Sequence, residues 1–135
     1  MVNTFGLVKQ AHHQKKVYCE VSNCKQTVKY LRVLRQNALI YGYTVIPNTN
    51  KILVYLRYYR NKPTLKHIQL ISKPGHRRSL SHKNYFFYTT KFNPGNVAVV
   101  SNPKTSDIES CYLSKYSKEY QYINKNFGEF LSIVW

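Results

Sequence analysis

Six consecutive residues, Ser101-Asn102-Pro103-Lys104-Thr105-Ser106, carry three hydroxyls, one amide and one ammonium group. Such a run can hydrogen-bond phosphate, sugar hydroxyls and base edges. By composition it is a turn more often than a site. The run follows Val97-Ala98-Val99-Val100, a continuous apolar stretch that reads as a buried strand. Two cationic groups stand elsewhere. Lys25, Lys29 and Arg32 recur at helical spacing, and His76-Arg77-Arg78 follows Lys73-Pro74-Gly75. A charged helix face is more often solvated than functional, and spacing alone leaves both readings of it open.

Catalytic chemistry has little to use. The acids are Glu20, Asp107, Glu109, Glu119 and Glu129, scattered without a close pair suited to general acid–base work. No glycine-rich phosphate loop is present. Cys19, Cys24 and Cys111 have no framework spacing and read as free thiols of a reducing compartment. Cys19 and Cys24 are loosely spaced for zinc, and no second Cys/His pair answers them. Neither catalytic residues, metal, cofactor nor small-molecule substrate is expected.

The charge points to a partner. Lys and Arg number 21 against five acids, a formal charge of +16. A soluble domain so charged repels itself and should be found with a polyanion. Nucleic acid leads and an anionic membrane surface follows. Tyr and Phe are interleaved with the cations in "LRYYRNK" and "HKNYFFYTTK". They can stack on exposed bases, and can equally be ordinary core. No apolar run reaches the roughly 18 residues of a membrane span. The N-terminal stretch lacks the apolar core of a signal peptide and has no Arg or Ser, a poor transit peptide. Abundant Lys, Asn, Tyr, Ile and Phe point to an A/T-rich gene.

The elements that must position these residues are legible in outline. Residues 4–15 read as a short helix, with Thr4 as N-cap and Phe5, Val8 and Ala11 on one side. Val17 to Val21 reads as extended. Asn23 with Gln26 resembles a capping box opening a helix over 23–38, its apolar side running through Val28, Leu31, Leu34 or Arg35, and Ala38. Tyr41–Ile46 and Lys51–Tyr59 flank the turn Pro47-Asn48-Thr49-Asn50 and form an antiparallel hairpin. Leu65 to Ser72 resumes a two-residue alternation. The fold class is α+β, with two small α/β lobes. Residues 1–73 form the first, two helices on a three-stranded sheet. Residues 74–135 form the second, of strands with one helix, the helix read over Asp107–Ile123. Phe130 to Trp135 reads as a closing strand.

Three patches carry a resemblance. "ISKPGHR", "VAVVSNPKTSDIE" and "GEFLSIVW" occur in the order and spacing of the eighth small-subunit ribosomal protein of the bacterial type. With a helix–hairpin–strand match before Ile71, the similarity covers essentially the whole chain. The resemblance implies a structural constituent of the small ribosomal subunit that binds the central domain of its rRNA, beside neighbouring small-subunit proteins. A free RNA-binding translational regulator is the alternative. The resemblance makes 74–135 the RNA-binding lobe and turns the 101–106 run from a turn into an RNA-facing loop. Ser101 and Lys104 keep the family's residue types, while Asn102, Pro103 and Thr105 replace its Thr, Ser and Gly. Pro103 removes a hydroxyl and a backbone donor. Gly75 and Arg77 hold their linker places, with Arg78 beside them. Ser79 stands where the family often has Tyr. Glu129 matches the acid opening the last strand, which orients the loop or a base, or is structural. The implied RNA-binding set is Ser101, Asn102, Lys104, Thr105, Gly75, Arg77, Arg78, Lys25, Lys29, Arg32 and Glu129. The chain is longer than the family pattern around 112–126. Divergence, this insertion and the A/T-rich gene point to a mitochondrial ribosome, with a plastid or bacterial cytoplasm as alternatives.

Overall fold

The structure is a computed structural model that describes residues 2–73, 75–77, 97–101, 108–112 and 130–134. The chain divides into two compact units, Met1–Ile68 and Gln69–Trp135.

The first unit opens with α1 (Val2–His13). Phe5, Val8 and Ala11 are buried at helical spacing, as the sequence indicates. The helix begins before Thr4, which is therefore no N-cap but a buried residue of the first turn. Lys15 ends it in the left-handed region at φ 55. The Lys16 N–H then donates to the Ala11 carbonyl and the Lys15 N–H to the His12 carbonyl, a Schellman closure.

Strand β1 (Tyr18–Ser22) leads to α2 (Lys25–Gln36). The expected capping box at Asn23 does not form. Such a box needs the Asn23 N–H for Gln26, and that N–H already donates to the Asn50 carbonyl at 3.0 Å. Cys24 caps instead, in extended backbone, its Sγ accepting from the Thr27 N–H at 3.4 Å. Thr27, Tyr30, Leu31, Val33 and Leu34 form the buried face. Ala38 is not part of it. It lies past the helix, exposed, at φ 56, with its N–H on the Arg35 carbonyl and the Leu39 N–H on the Leu34 carbonyl.

The hairpin of β2 (Ile40–Val45) and β3 (Lys51–Leu56) forms as expected, antiparallel, around Asn48 at φ 61. β1 pairs antiparallel on the other side of β3, giving the order β1-β3-β2. Ile52, Val54 and Leu56 alternate inward, while α1 packs on β1 and α2 on β2. Phe5 meets Tyr30 edge-on at 4.4 Å and ties the two helices together. A small hairpin follows, β4 (Tyr58–Tyr59) with β5 (Lys62–Pro63), turned by Arg60 and Asn61 at φ 49 and 62. Positive φ at both central residues marks a type I′ turn.

β6 (Ile68–Leu70) joins a second, four-stranded sheet with β7 (Val97–Ser101), β8 (Ile108–Tyr112) and β9 (Phe130–Val134). The order is β6-β9-β7-β8. β7 pairs antiparallel with both β8 and β9. Val97, Ala98, Val99 and Val100 are buried, the last three completely. The expected helix over Asp107–Ile123 is corrected over its described part, since Ile108–Tyr112 is strand. Over five residues Ile108, Ser110 and Tyr112 also fit a two-residue alternation. The central strand's second row of backbone groups needs a ladder partner, and that decides for strand. Residues 113–123 lie outside the described set. The closing strand appears as β9, with a bulge between its pairings to Val99 and Val100.

Candidate RNA interface

β7 ends at Ser101, which is half-buried and pairs with Ile108 of β8. A strand buried along its length and paired on both edges has few ways to move, so Ser101 sits on a rigid mount. The stretch 102–107 connects β7 to β8. Asn102, Lys104 and Thr105 fall there, outside the described residues, as do Arg78 and Glu129. A helix opening after this stretch would have offered free N–H groups to anions, but the described element beyond it, Ile108–Tyr112, is strand.

Gly75 lies in a tight turn. The Lys73 N–H donates to the His76 carbonyl at 3.1 Å and the His76 N–H returns to the Lys73 carbonyl at 2.9 Å. Gly75 takes φ +80 there, a conformation that costs a side-chain-bearing residue strain. The turn presents Arg77 at the surface.

In the first unit, Lys25 and Arg32 are exposed and Lys29 half-buried. Their i, i+4, i+7 spacing places them along one side of α2, over roughly 10 Å of axis. The first turn contains no acid. This side of the helix can meet successive phosphates.

A second cationic cluster escapes the sequence reading. A groove of about 440 Å³ lies between α1 and the segment from Pro63 to His67, lined by Lys9, His12, His13, Lys66 and His67 among others. Its halves lie fifty or more positions apart, so only the fold unites them. The sole sequence trace is Lys9 with His12 and His13 on the polar edge of a helix. Burial holds the His12 imidazole below its usual pKa.

The two described thiols differ. Burial pushes Cys19 up to about 11, against the pull of Lys16. The Thr27 hydroxyl, 2.8 Å from the Cys24 sulfur, lowers the Cys24 value. Among the described residues no three His, Cys, Asp or Glu side chains converge on a metal site. None of the described helices is long and apolar enough to cross a membrane.

Comparison with known proteins gives the family. Residues 1–105 match the ribosomal protein S8 family, a range that contains α1 to β7 and stops before the Gly128–Trp135 patch. The small ribosomal subunit protein uS8m of Acanthamoeba castellanii is 32% identical over 93 residues, 69% of this chain and 72% of that protein. The small ribosomal subunit protein uS8 of Pelagibacter ubique is 35% identical over 106 residues, 75% of this chain and 76% of its own. That of Afipia carboxidovorans is 28% identical over 101 residues, 72% and 74%. Ribosomal protein S8 is a structural component of the ribosome and not an enzyme. With α1, α2, the linker and β7 all inside the matched range, this chain belongs to the ribosomal protein S8 family.

Proposed function

We propose that this chain is a structural protein of a small ribosomal subunit and binds the central domain of small-subunit rRNA. Its role is positioning rather than chemistry. Lys25, Lys29 and Arg32 neutralise phosphates from α2, and Arg77 and Arg78 do so from the linker. Ser101, Asn102, Lys104 and Thr105 read RNA shape from the end of β7, with Gly75 holding the linker turn. Glu129 orients that loop or a nearby base. Neighbouring small-subunit proteins are the further partners, reached through the longer segment around 112–126. The ribosome is mitochondrial. The similarity to a mitochondrial uS8m at 32% identity supports this, together with the A/T-rich residue usage.

The observation that carries the reading is the family match across residues 1–105, which ends within the stretch 102–107 that follows β7. The test compares binding of a central-domain rRNA fragment by two variants. Ser101→Ala with Asn102→Ala removes two hydrogen-bonding side chains and should weaken binding about tenfold or more. Lys62→Ala, an exposed lysine in β5, should cost only a few-fold. An equal or smaller loss for the loop variant would sink the loop assignment. The native protein should co-sediment with mitochondrial small subunits. A protein running free of them argues for a separate regulator.

A further inference from the structure

We infer that the groove between α1 and the Pro63–His67 segment is a second RNA site, one that holds the phosphodiester backbone and reads no sequence. It rests on the RNA-binding reading above and adds a surface of the first unit to it.

The groove joins Lys9 and His13 of α1 to Lys66 and His67 of the segment after β5. All four are exposed, and no carboxylate stands among the lining residues. Two ammonium groups from different segments suit one anionic group held between them. The imidazoles add hydrogen-bond donors. The lining has no Tyr, Phe or Trp on which a base could stack. It has no Arg fork for a guanine edge either. Phosphate oxygens are the nucleic-acid groups this chemistry fits.

The wall of the groove supplies a separate indication. His12 is only 5% exposed, and neither of its ring nitrogens has a hydrogen-bond partner. Buried polar atoms are normally satisfied. A neutral imidazole carries one N–H, and here that donor lacks an acceptor. A phosphate oxygen is an acceptor of the kind the ring lacks. Tyr58 backs the imidazole edge-on at 5.7 Å, and its own hydroxyl donates to the Lys16 carbonyl at 2.6 Å. The wall is thereby fixed from β4.

The test measures the salt dependence of RNA binding by the full chain. Two probes are used, a mixed-sequence RNA duplex and a central-domain rRNA fragment. Lys9→Ala with Lys66→Ala changes exposed side chains only, and far-UV circular dichroism checks the fold. The variant should reduce the slope of log K against log salt by roughly one to two on both probes, with about a tenfold loss of affinity near 0.1 M salt. A control removing exposed lysines outside the groove, Lys15→Ala with Lys51→Ala, should change the slope clearly less. An unchanged slope on both probes overturns the proposal, and so does an equal effect of the control. The two functional readings separate cleanly. The Ser101/Asn102 variant should weaken only the central-domain fragment, whereas the groove variant should weaken both. If the central-domain fragment binds no better than the duplex, the rRNA assignment falls, and the duplex slope alone decides for or against the groove.

Discussion

Thr4 brings a hydroxyl into the α1 core, 2% exposed and without a hydrogen-bond partner. An unsatisfied buried hydroxyl costs on the order of 1 kcal/mol or more, and Val has nearly the same shape. Thr4→Val should therefore stabilise the chain by about 1 kcal/mol, read as a higher urea midpoint at unchanged slope. His12 gives a prediction in pH. Its folded-state pKa lies below the unfolded one because burial disfavours the imidazolium. The unfolded chain thus takes up the proton first. Stability is unaffected above the unfolded value and falls as pH drops through about 6.5, levelling only below the folded value. His12→Phe should remove that part of the fall, shown by comparing urea midpoints of both proteins near neutral and mildly acidic pH. The thiols offer a third measurement. Cys24 is exposed and held low by Thr27, whereas Cys19 is buried and raised to about 11. Iodoacetamide at mildly alkaline pH should label Cys24 in the folded protein and Cys19 only after unfolding, as read by peptide mass mapping. Equal labelling would contradict the buried position of Cys19 on β1.

At the scale of elements, α2 shows how far the sequence could be read. Its existence, its cationic side and the burial of Leu31 follow from spacing alone, whereas spacing left Leu34 and Arg35 open and the structure buries Leu34. Its ends do not. The cap depends on Asn50, a residue from the β2–β3 turn that takes the Asn23 N–H, and no local pattern reveals that contact. Ala38 fits the apolar period but sits in the left-handed closing position, where Gly is usual. Ala38→Gly should accordingly stabilise the chain by up to ~1 kcal/mol, because relief of the left-handed strain exceeds the extra unfolded-state entropy. A lower thermal midpoint for Ala38→Gly would show that Ala38 does not occupy that conformation. β7 was legible because four apolar residues between turn signals need no partner to be recognised. β8 was not, since Ile108–Tyr112 satisfies helix and strand periods alike and only pairing with β7 chooses between them. For the same reason the Ser101 mount could be read from sequence, whereas the groove uniting Lys9 with Lys66 could not.

At the scale of the whole chain, charge sets both stability and partner. At +16 the folded chain repels itself at low ionic strength. The ion pair between Lys51 and Glu20 spans 3.0 Å, with both side chains well exposed, and is worth at most about 1 kcal/mol. Screening by simple salt should therefore raise the thermal midpoint before any specific partner is added. RNA should act in two layers. A mixed-sequence duplex at low salt should stabilise by mass action through phosphate contacts alone, and that gain should vanish as salt is raised. A central-domain rRNA fragment should leave a residual shift at salt concentrations that abolish the duplex effect, because hydrogen bonds from a loop on a rigid strand are screened less than exposed charges. The Ser101→Ala/Asn102→Ala variant should lose that residual shift and keep the salt-sensitive one. Thermal unfolding of both proteins across a salt series, with each RNA, separates the layers. Loss of both layers in the loop variant would mean that the loop supplies general charge contacts rather than shape recognition. Survival of the residual shift would move recognition to other surfaces of the chain.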